Sequence, residues 1–444
     1  MSGILSWIKG HLLIVVSGVL ILLFLPAGFV GSRMWNTKIR AKAEDEYKKQ
    51  DRELSGQQRV QYTLPAVLEG ESAVEEARAP NARVTDYYAS RKQTREEQVG
   101  EIVERATAFN RESHDVLVPG LFPEASSARE QVTLLGEFRR RLVGDERQAG
   151  VYELFLRRQG AGSPPDPEEI SGVLNEAQQR LQDQLNAGAS TSSGRATTAT
   201  PEQQKAMQDE LAAQRIALYA ARADDLTYYV LPDAITGAAA PGFASVPTAT
   251  YTANPTIEQA FGWQWDEWVL TDVLRAVAAA NSDAVGAPLG VPAAPIKRVD
   301  KIAVRFKSLA PKVADDSGRS SSAGEASPTP TYTGRLEAAG TDFDVRMVRL
   351  EAIVAPSKLP RFFDALAKTN YMTVTGLQLD PVDPWTEIDA GYYFGSDSVA
   401  RATIDIETVW LRSWTGPLMP PSVREALGVV LPEAAEAEPE NVEP

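Results

Sequence analysis

Val345 to Asp380 reads VRMVRLEAIVAPSKLPRFFDALAKTNYMTVTGLQLD, and the order of periods within it decides the fold. Phe343 to Val354 is strand-like, with an apolar phase that shifts near Met347 and Val348 as it would at a bulge. Ser357 stands where an N-cap belongs, and Lys358 to Lys368 places Leu359, Phe362, Phe363 and Leu366 on one helical stripe. Tyr371 to Leu379 then alternates again. The segment therefore predicts strand, helix, strand.

Working outward, Ala402, Ile404, Ile406, Thr408 and Trp410 fall on one side of an alternating run, with Arg401, Thr403, Asp405 and Glu407 on the other. That pattern predicts a half-buried strand. Upstream, Ile302, Val304 and Phe306 alternate with Lys301, Ala303 and Arg305. Ile257 to Asn281 reads as a helix with Phe261, Trp265, Trp268, Val269, Asp272, Val273 and Val277 near one face. Leu226 to Leu231 (LTYYVL) is rich in strand formers and closed by Pro232. The order β, α, β, β, α, β, with one further strand, predicts an α+β, ferredoxin-like domain over 222–415, each helix laying a single apolar stripe on one face of the sheet.

The other end of the chain is of a different kind. Gly10 to Ser32 contains no Asp, Glu, Lys or Arg. Leu12, Leu13, Ile14, Val15, Val16, Val19, Leu20, Ile21, Leu22, Leu23, Phe24 and Leu25 make it apolar over a helical length of roughly 35 Å, enough to cross a bilayer. A cleaved signal peptide is the competing reading, but cutting after Gly31 or Ala27 leaves Phe29 or Leu25 where a small residue is needed. The expectation is a single transmembrane helix over 11–31 behind a short cytoplasmic head, 1–10. Arg33, Lys38, Arg40 and Lys42 outnumber Lys9, so a positive-inside count alone would put the bulk of the chain in the cytoplasm; long domains translocate largely regardless of such charges.

Between these ends, residues 32–221 read as a helical or coiled-coil stalk. Residues 35–65 continue as a charged helix with a thin seam of Trp35, Ile39, Ala43 and Tyr47, and 85–111 resumes with Val99, Ile102, Val103, Ala106 and Phe109 on one face. After VPGLFPEASS, Val132, Leu135, Phe138 and Leu142 mark a short helix. Asp166, Pro167 and Glu169 begin the most regular helix, in which Ile170, Val173, Leu174, Ala177, Leu181 and Leu185 form a stripe broad enough to need a partner; docking on the helix over 201–222 is the intramolecular alternative. Composition predicts a flexible linker over 186–200, a flexible insertion over 312–340 and an acidic, disordered tail over 416–444.

Catalysis finds little material. The chain has no cysteine and two histidines, His11 and His114, which rules out disulfides, thiolate metal sites and cysteine nucleophiles and leaves hardly any route to a serine triad or a histidine-based metal site. No phosphate loop or dinucleotide fingerprint occurs. The net charge is −15, and residues 161–444 hold 22 Lys+Arg against 38 Asp+Glu, which disfavours nucleic acid as a partner. Trp263, Trp265 and Trp268 are candidates for a ligand pocket or for core packing. Asp380, Asp383 and Asp389 are candidates for a metal or for a stiff turn, and Asp389 and Asp397 for carboxylate chemistry. Arg139, Arg140 and Arg141 read as an anionic contact or a solvated helix face. The expectation is a non-enzyme without a cofactor.

The apolar span Leu12 to Val30, the charged helix after Trp35, the Val345–Asp380 run and the closing strand ARATIDIETVWL together resemble PilO-like proteins. These are inner-membrane components that align the type IV pilus machinery, related to the M-type components of type II secretion, and the likeness is greatest to versions from verrucomicrobial and planctomycete bacteria. The resemblance implies a single-pass bacterial inner-membrane protein with its bulk in the periplasm. It further implies homodimers or heterodimers, PilN-like and PilM-like partners, and no catalysis. The chain departs from that layout in its longer helical region and in the 312–340 insertion. A membrane-anchored periplasmic sensor or ligand-binding ectodomain is the alternative.

Overall fold

Phe343–Val354 and Ala400–Leu411 pair antiparallel over their whole length, from Phe343 opposite Leu411 to Val354 opposite Ala400, and form the centre of the sheet. The computed structural model describes residues 12–57, 60–64, 72–78, 81–112, 114–190, 200–236, 243–244, 246–248, 250–305, 333–335 and 342–430. The predicted head, most of the linker, nearly all of the insertion and residues 431–444 of the tail lie outside the described residues. The chain divides into two units, Met1–Arg105 and Ala106–Pro444.

In the first unit, α1 (Leu12–Gln57) is one helix of 46 residues with Pro26 inside it. The helix expected over 35–65 ends sooner, because VQYTL favours a strand: β1 (Val60–Leu64) pairs antiparallel with β2 (Val74–Arg78). Tyr62 of β1 is buried, stacks on Tyr88 at 4.8 Å between centroids, and shares a 2.9 Å hydrogen bond with Thr85. Both partners lie in the first turns of α2 (Ala82–Arg111), a 30-residue helix whose last turns belong to the second unit.

The second unit contains α3 (Ala128–Val143), α4 (Val151–Arg158), β3 (Ala161–Gly162), α5 (Pro167–Ser190), α6 (Pro201–Asp225), β4 (Tyr228–Val230), α7 (Ile257–Ala280), β5 (Ile296–Val304), β6 (Phe343–Val354), α8 (Leu359–Thr369), β7 (Met372–Pro381), α9 (Pro384–Asp389), β8 (Ala400–Leu411), α10 (Arg412–Thr415) and α11 (Pro421–Leu427). Its sheet runs β3-β4-β5-β6-β8-β7. The ferredoxin-like order, two interleaved split βαβ units, is present only in part. β6, α8 and β7 do form a split unit with β8 between the strands, whereas β4 and β5 are parallel immediate neighbours joined through α7. Element order alone does not distinguish a split unit from an adjacent one, and here β5 offers β4 its free edge directly.

Two further expectations are corrected. β6 pairs with β8 without any register shift, and the irregularities lie between Ile296 and Arg298 and between Val299 and Lys301 of β5 and between Val374 and Gly376 of β7. The apparent phase change in β6 arises because Asp344 and Arg346 share the buried face of Val348, Leu350, Ala352 and Val354. Nor is α7 a one-stripe helix. It is buried almost all round, Gln264, Asp266, Glu267, Thr271 and Asp272 included, because the sheet covers one side of it while α3 packs from another.

Part of the region read as stalk, α3 and α4 with the loop before them, is core. Val118, Leu121, Phe122, Leu135, Phe138, Leu142 and Tyr152 join the same apolar cluster as the sheet and α7. So do Trp414, Met419 and Val423, and the tail begins with a capped helix, α11, before the described residues end. The boundaries drawn at 221 and 415 cut through this core. α5 also runs on to Ser190, through the first five residues assigned to the linker.

Candidate functional site

Three places bear on function: the exposed apolar helix, the α5–α6 pair, and a buried polar network in the core. The first follows from composition. Within α1, Leu13, Ile14, Val16, Val19, Leu20, Ile21, Leu22, Leu23 and Phe24 are all exposed. Leu12, Val15 and Leu25 lie in the same helix. A row of that length in water would cost on the order of 2 kcal/mol per large apolar side chain relative to burial. α1 is thus long and apolar enough to cross a membrane.

The second place is where the stripe of α5 meets α6. Thr200 caps α6 with a full capping box to Gln203, and Pro201 sits in the first turn. Ile170, Val173, Leu174 and Leu181 are half-buried and Ala177 is buried; Leu185 falls on the same helix. α5 packs against α6, which offers Met207, Leu211, Leu218 and Tyr219. The stripe therefore has an intramolecular neighbour, and it retains partial exposure.

The third place holds the chemistry-bearing residues. His114 lies among Trp268, Trp410 and Trp414, with its ring stacked on Trp414 at 5.6 Å. Its Nδ1 lies 3.1 Å from the Asn110 carbonyl. Its Nε2 lies 2.9 Å from Asp272 Oδ1, a close contact without hydrogen-bond alignment. Asp272 also accepts from Asn370 at 2.7 Å and from Arg275 at 3.1 Å. Trp268 Nε1 donates to the Asp115 carbonyl. His114, Asp272, Asn370 and the three tryptophans are buried in the core, with Asp115 and Arg275 at its rim, so the network fastens α2, α7, α8 and α10 together.

One turn away, burial raises the Glu267 carboxyl to about 7, with Asp272 pushing the same way and Arg275 and the Gln264 hydrogen bond opposing. Burial likewise raises Asp266, against the pull of Arg346. Arg346 donates to Asp266 at 2.6 Å and lies 4.9 Å over the Trp265 ring, while its Nε and Nη1 and the Trp265 Nε1 are buried without a partner among the described residues. At the far end of the same strand face, Arg412 grips Asp344 through two bonds of 2.8 and 2.9 Å.

The other residues singled out from sequence are dispersed. Trp265 and Trp268 are core residues, and Trp263 sits half-buried against Tyr251. Asp383 caps α9, accepting from the Trp385 amide and from Thr386, and Asp380 is exposed on β7. Asp397 accepts from Lys297 and Lys358; burial raises its carboxyl, but those two bonds outweigh burial and hold it below the usual range. Among the described residues no cluster of three or more His, Asp or Glu has the geometry to hold a metal. Sequence reading missed the fully buried Lys297, which also donates to the Val291 and Pro292 carbonyls. A lysine between Ile296 and Arg298 in a strand gives no sign that backbone carbonyls await it.

No family model matches the chain, and no curated protein matches it. Two solved structures are similar to parts of it. One is the type 4 fimbrial biogenesis protein PilO from Pseudomonas aeruginosa, at 11% identity over 53% of this chain and 98% of that one, with a TM-score of 0.17. The other is a crystal structure from Akkermansia muciniphila, at 11% identity over 53% of this chain and 96% of that one, with a TM-score of 0.22. TM-scores this low carry no argument about function, which rests on the chain itself.

Proposed function

We propose that this chain is a non-catalytic, membrane-anchored structural component that aligns or assembles a type IV pilus or a related secretion machine through protein contacts. α1 would hold it in a bacterial inner membrane, with the bulk of the chain in the periplasm and PilN-like and PilM-like proteins as its partners. The observation that carries the reading is α1 itself: a solvent-exposed apolar segment continues without a break into a charged helical half, Arg33 to Gln57. The core supports a scaffold role, because His114, Asp272, Trp265, Trp268, Trp410 and Trp414 are buried in packing and are not turned toward solvent.

Two experiments test this. A fluorescent protein that matures only in the cytosol, fused after residue 440, should stay dark in cells, and a bright fusion reverses the topology. Deleting the gene in the parent bacterium should abolish surface pili or secretion while pilin is still made, with rescue by the full chain and not by one lacking residues 1–32. Unchanged piliation and secretion would sink the assembly reading.

A further inference from the structure

β7 is the last strand of the sheet, and among the described residues nothing pairs with its outer edge. Natural sheets guard such an edge with charge, with lysine above all, since its unpaired amides and carbonyls otherwise template another strand. Here the usual distribution is inverted. The strands paired on both sides are charged: β5 holds Lys297, Arg298, Asp300 and Lys301, β6 holds Asp344, Arg346, Arg349 and Glu351, and β8 holds Arg401, Asp405 and Glu407. From Met372 to Leu379, β7 has no charge, and its other guards, a register shift between Val374 and Gly376 and Pro381 at its end, leave Leu377 to Leu379 between them. It also leaves two large apolar side chains in water, Leu377 at 45% and Leu379 at 43% exposure. Both lie on the helix-covered side, opposite Ile404 and Ala402 of β8, where α8 has already run out.

From this edge we infer that two copies of the chain pair β7 against β7, antiparallel and centred on Gln378. A twofold contact requires a surface complementary to itself, and Gly376-Leu377-Gln378-Leu379-Asp380 has that property about its middle residue. Leu377 of one copy falls opposite Leu379 of the second and Leu379 opposite Leu377, so both leucines are covered on the same side of the joined sheet. Asp380 meets Gly376, so no like charges oppose one another, and the Pro381 that lacks a donor falls outside the five central pairs. Moving the dyad to Leu377 or Leu379 leaves one leucine in each copy facing threonine or proline. The inference deepens the assembly reading by naming a surface and its occupant.

The chain contains no cysteine of its own, so one introduced cysteine reports the pairing. The full chain would be purified in detergent as Gln378→Cys, Asp380→Cys and Val285→Cys, oxidised with copper phenanthroline, and run without reductant. Position 378 should give a disulfide-linked dimer, since only there do the two copies face each other within the ~7 Å that a disulfide spans. Residue 380 in the two copies is separated by four residues along the strand, roughly 13 Å, and should remain monomeric. Val285, exposed at 87% on a loop, controls for chance collision. Adding Leu377→Lys to Gln378→Cys should abolish the band while the thermal transition is kept. Equal cross-linking at 285 or 380, a band that survives Leu377→Lys, or none at 378 overturns the inference. Those outcomes leave the topology and piliation tests untouched, so the two readings fail separately.

Discussion

Asn110 donates to Asn370 across 2.8 Å, although 260 residues separate them in sequence. The same Asn110 amide donates to the Val409 carbonyl, and its oxygen accepts from the Leu411 amide and from Trp414 Nε1. One side chain in the last turn of α2 thereby meets α8, β8 and α10 at once. Asn110→Ala should destabilise the second unit by roughly 2–4 kcal/mol, because two buried donors, the Leu411 amide and Trp414 Nε1, lose their acceptor while Asn370 Oδ1 and the Val409 carbonyl lose their donor. Urea denaturation followed by tryptophan fluorescence measures this. A loss under about 0.5 kcal/mol would show that the side chain is not the fastening.

Glu267 makes stability depend on pH in an unusual direction for an acid. Its folded carboxyl titrates at about 7 because burial disfavours the charge, against an ordinary value near 4.5. The folded state therefore holds a proton that the unfolded state has released. The stabilisation is fully present below the unfolded value and is lost as pH rises through about 7, by on the order of 3 kcal/mol in total. Glu267→Gln should flatten the stability profile between pH 5 and 8 and be more stable than wild type at pH 8. A profile of unchanged slope would contradict the assignment.

Arg346 and Asp266 form a buried pair with several donors unmet. Removing one charge strands the other, so Arg346→Met alone should cost roughly 3–5 kcal/mol, while Arg346→Met with Asp266→Leu should recover most of that loss. A thermal-melt double-mutant cycle decides it. Strict additivity would mean that the two side chains act independently.

Phe138 lies in what reads from sequence as stalk, yet it is fully buried and edge-on to Phe122 at 6.2 Å between centroids. Phe138→Ala should lower the stability of the sheet itself by ~3–5 kcal/mol. Hydrogen exchange at β6 and β8 amides should rise in step. Exchange confined to α3 would restore the stalk boundary.

Leu174→Glu with Leu181→Glu should loosen α5 from α6 without melting the sheet, since both leucines are half-buried against one neighbouring helix. Exchange would rise in α5 and α6 only. No change in either helix would show that the stripe has no important partner of any kind.

Sequence disclosed those parts of this fold in which one local rule acts alone. β8 was legible because its two faces meet different surroundings and its side chains alternate accordingly. α1 was legible because an exposed helix is apolar for a single reason. α7 defeated the stripe argument: a helix enclosed on two sides needs no polar face, and its Asp266 and Asp272 answer to Arg346 and Asn370 on distant segments while Glu267 answers to Gln264 one turn back. Strand order was illegible for a similar reason, since whether β4 lies beside β5 or one strand away depends on which edge is free when they meet. The network around His114 was invisible because its members span residues 110 to 414.

The charges at the start of β6 bear on how the strand finds its place. A slip of one residue turns every side chain to the other face of a sheet. In β6 the two faces are almost equally greasy: Val348, Leu350, Ala352 and Val354 on one, Phe343, Val345, Met347 and Ile353 on the other. Oil-and-water sorting would scarcely prefer either. Asp344 and Arg346 break the tie, because only in the native alignment do they arrive at Arg412 and Asp266. A slipped strand would instead carry Arg349 and Glu351 beneath the helices, far from the Asp405 that Arg349 holds in the native sheet. The ion pairs thus act as an address label for the central strand.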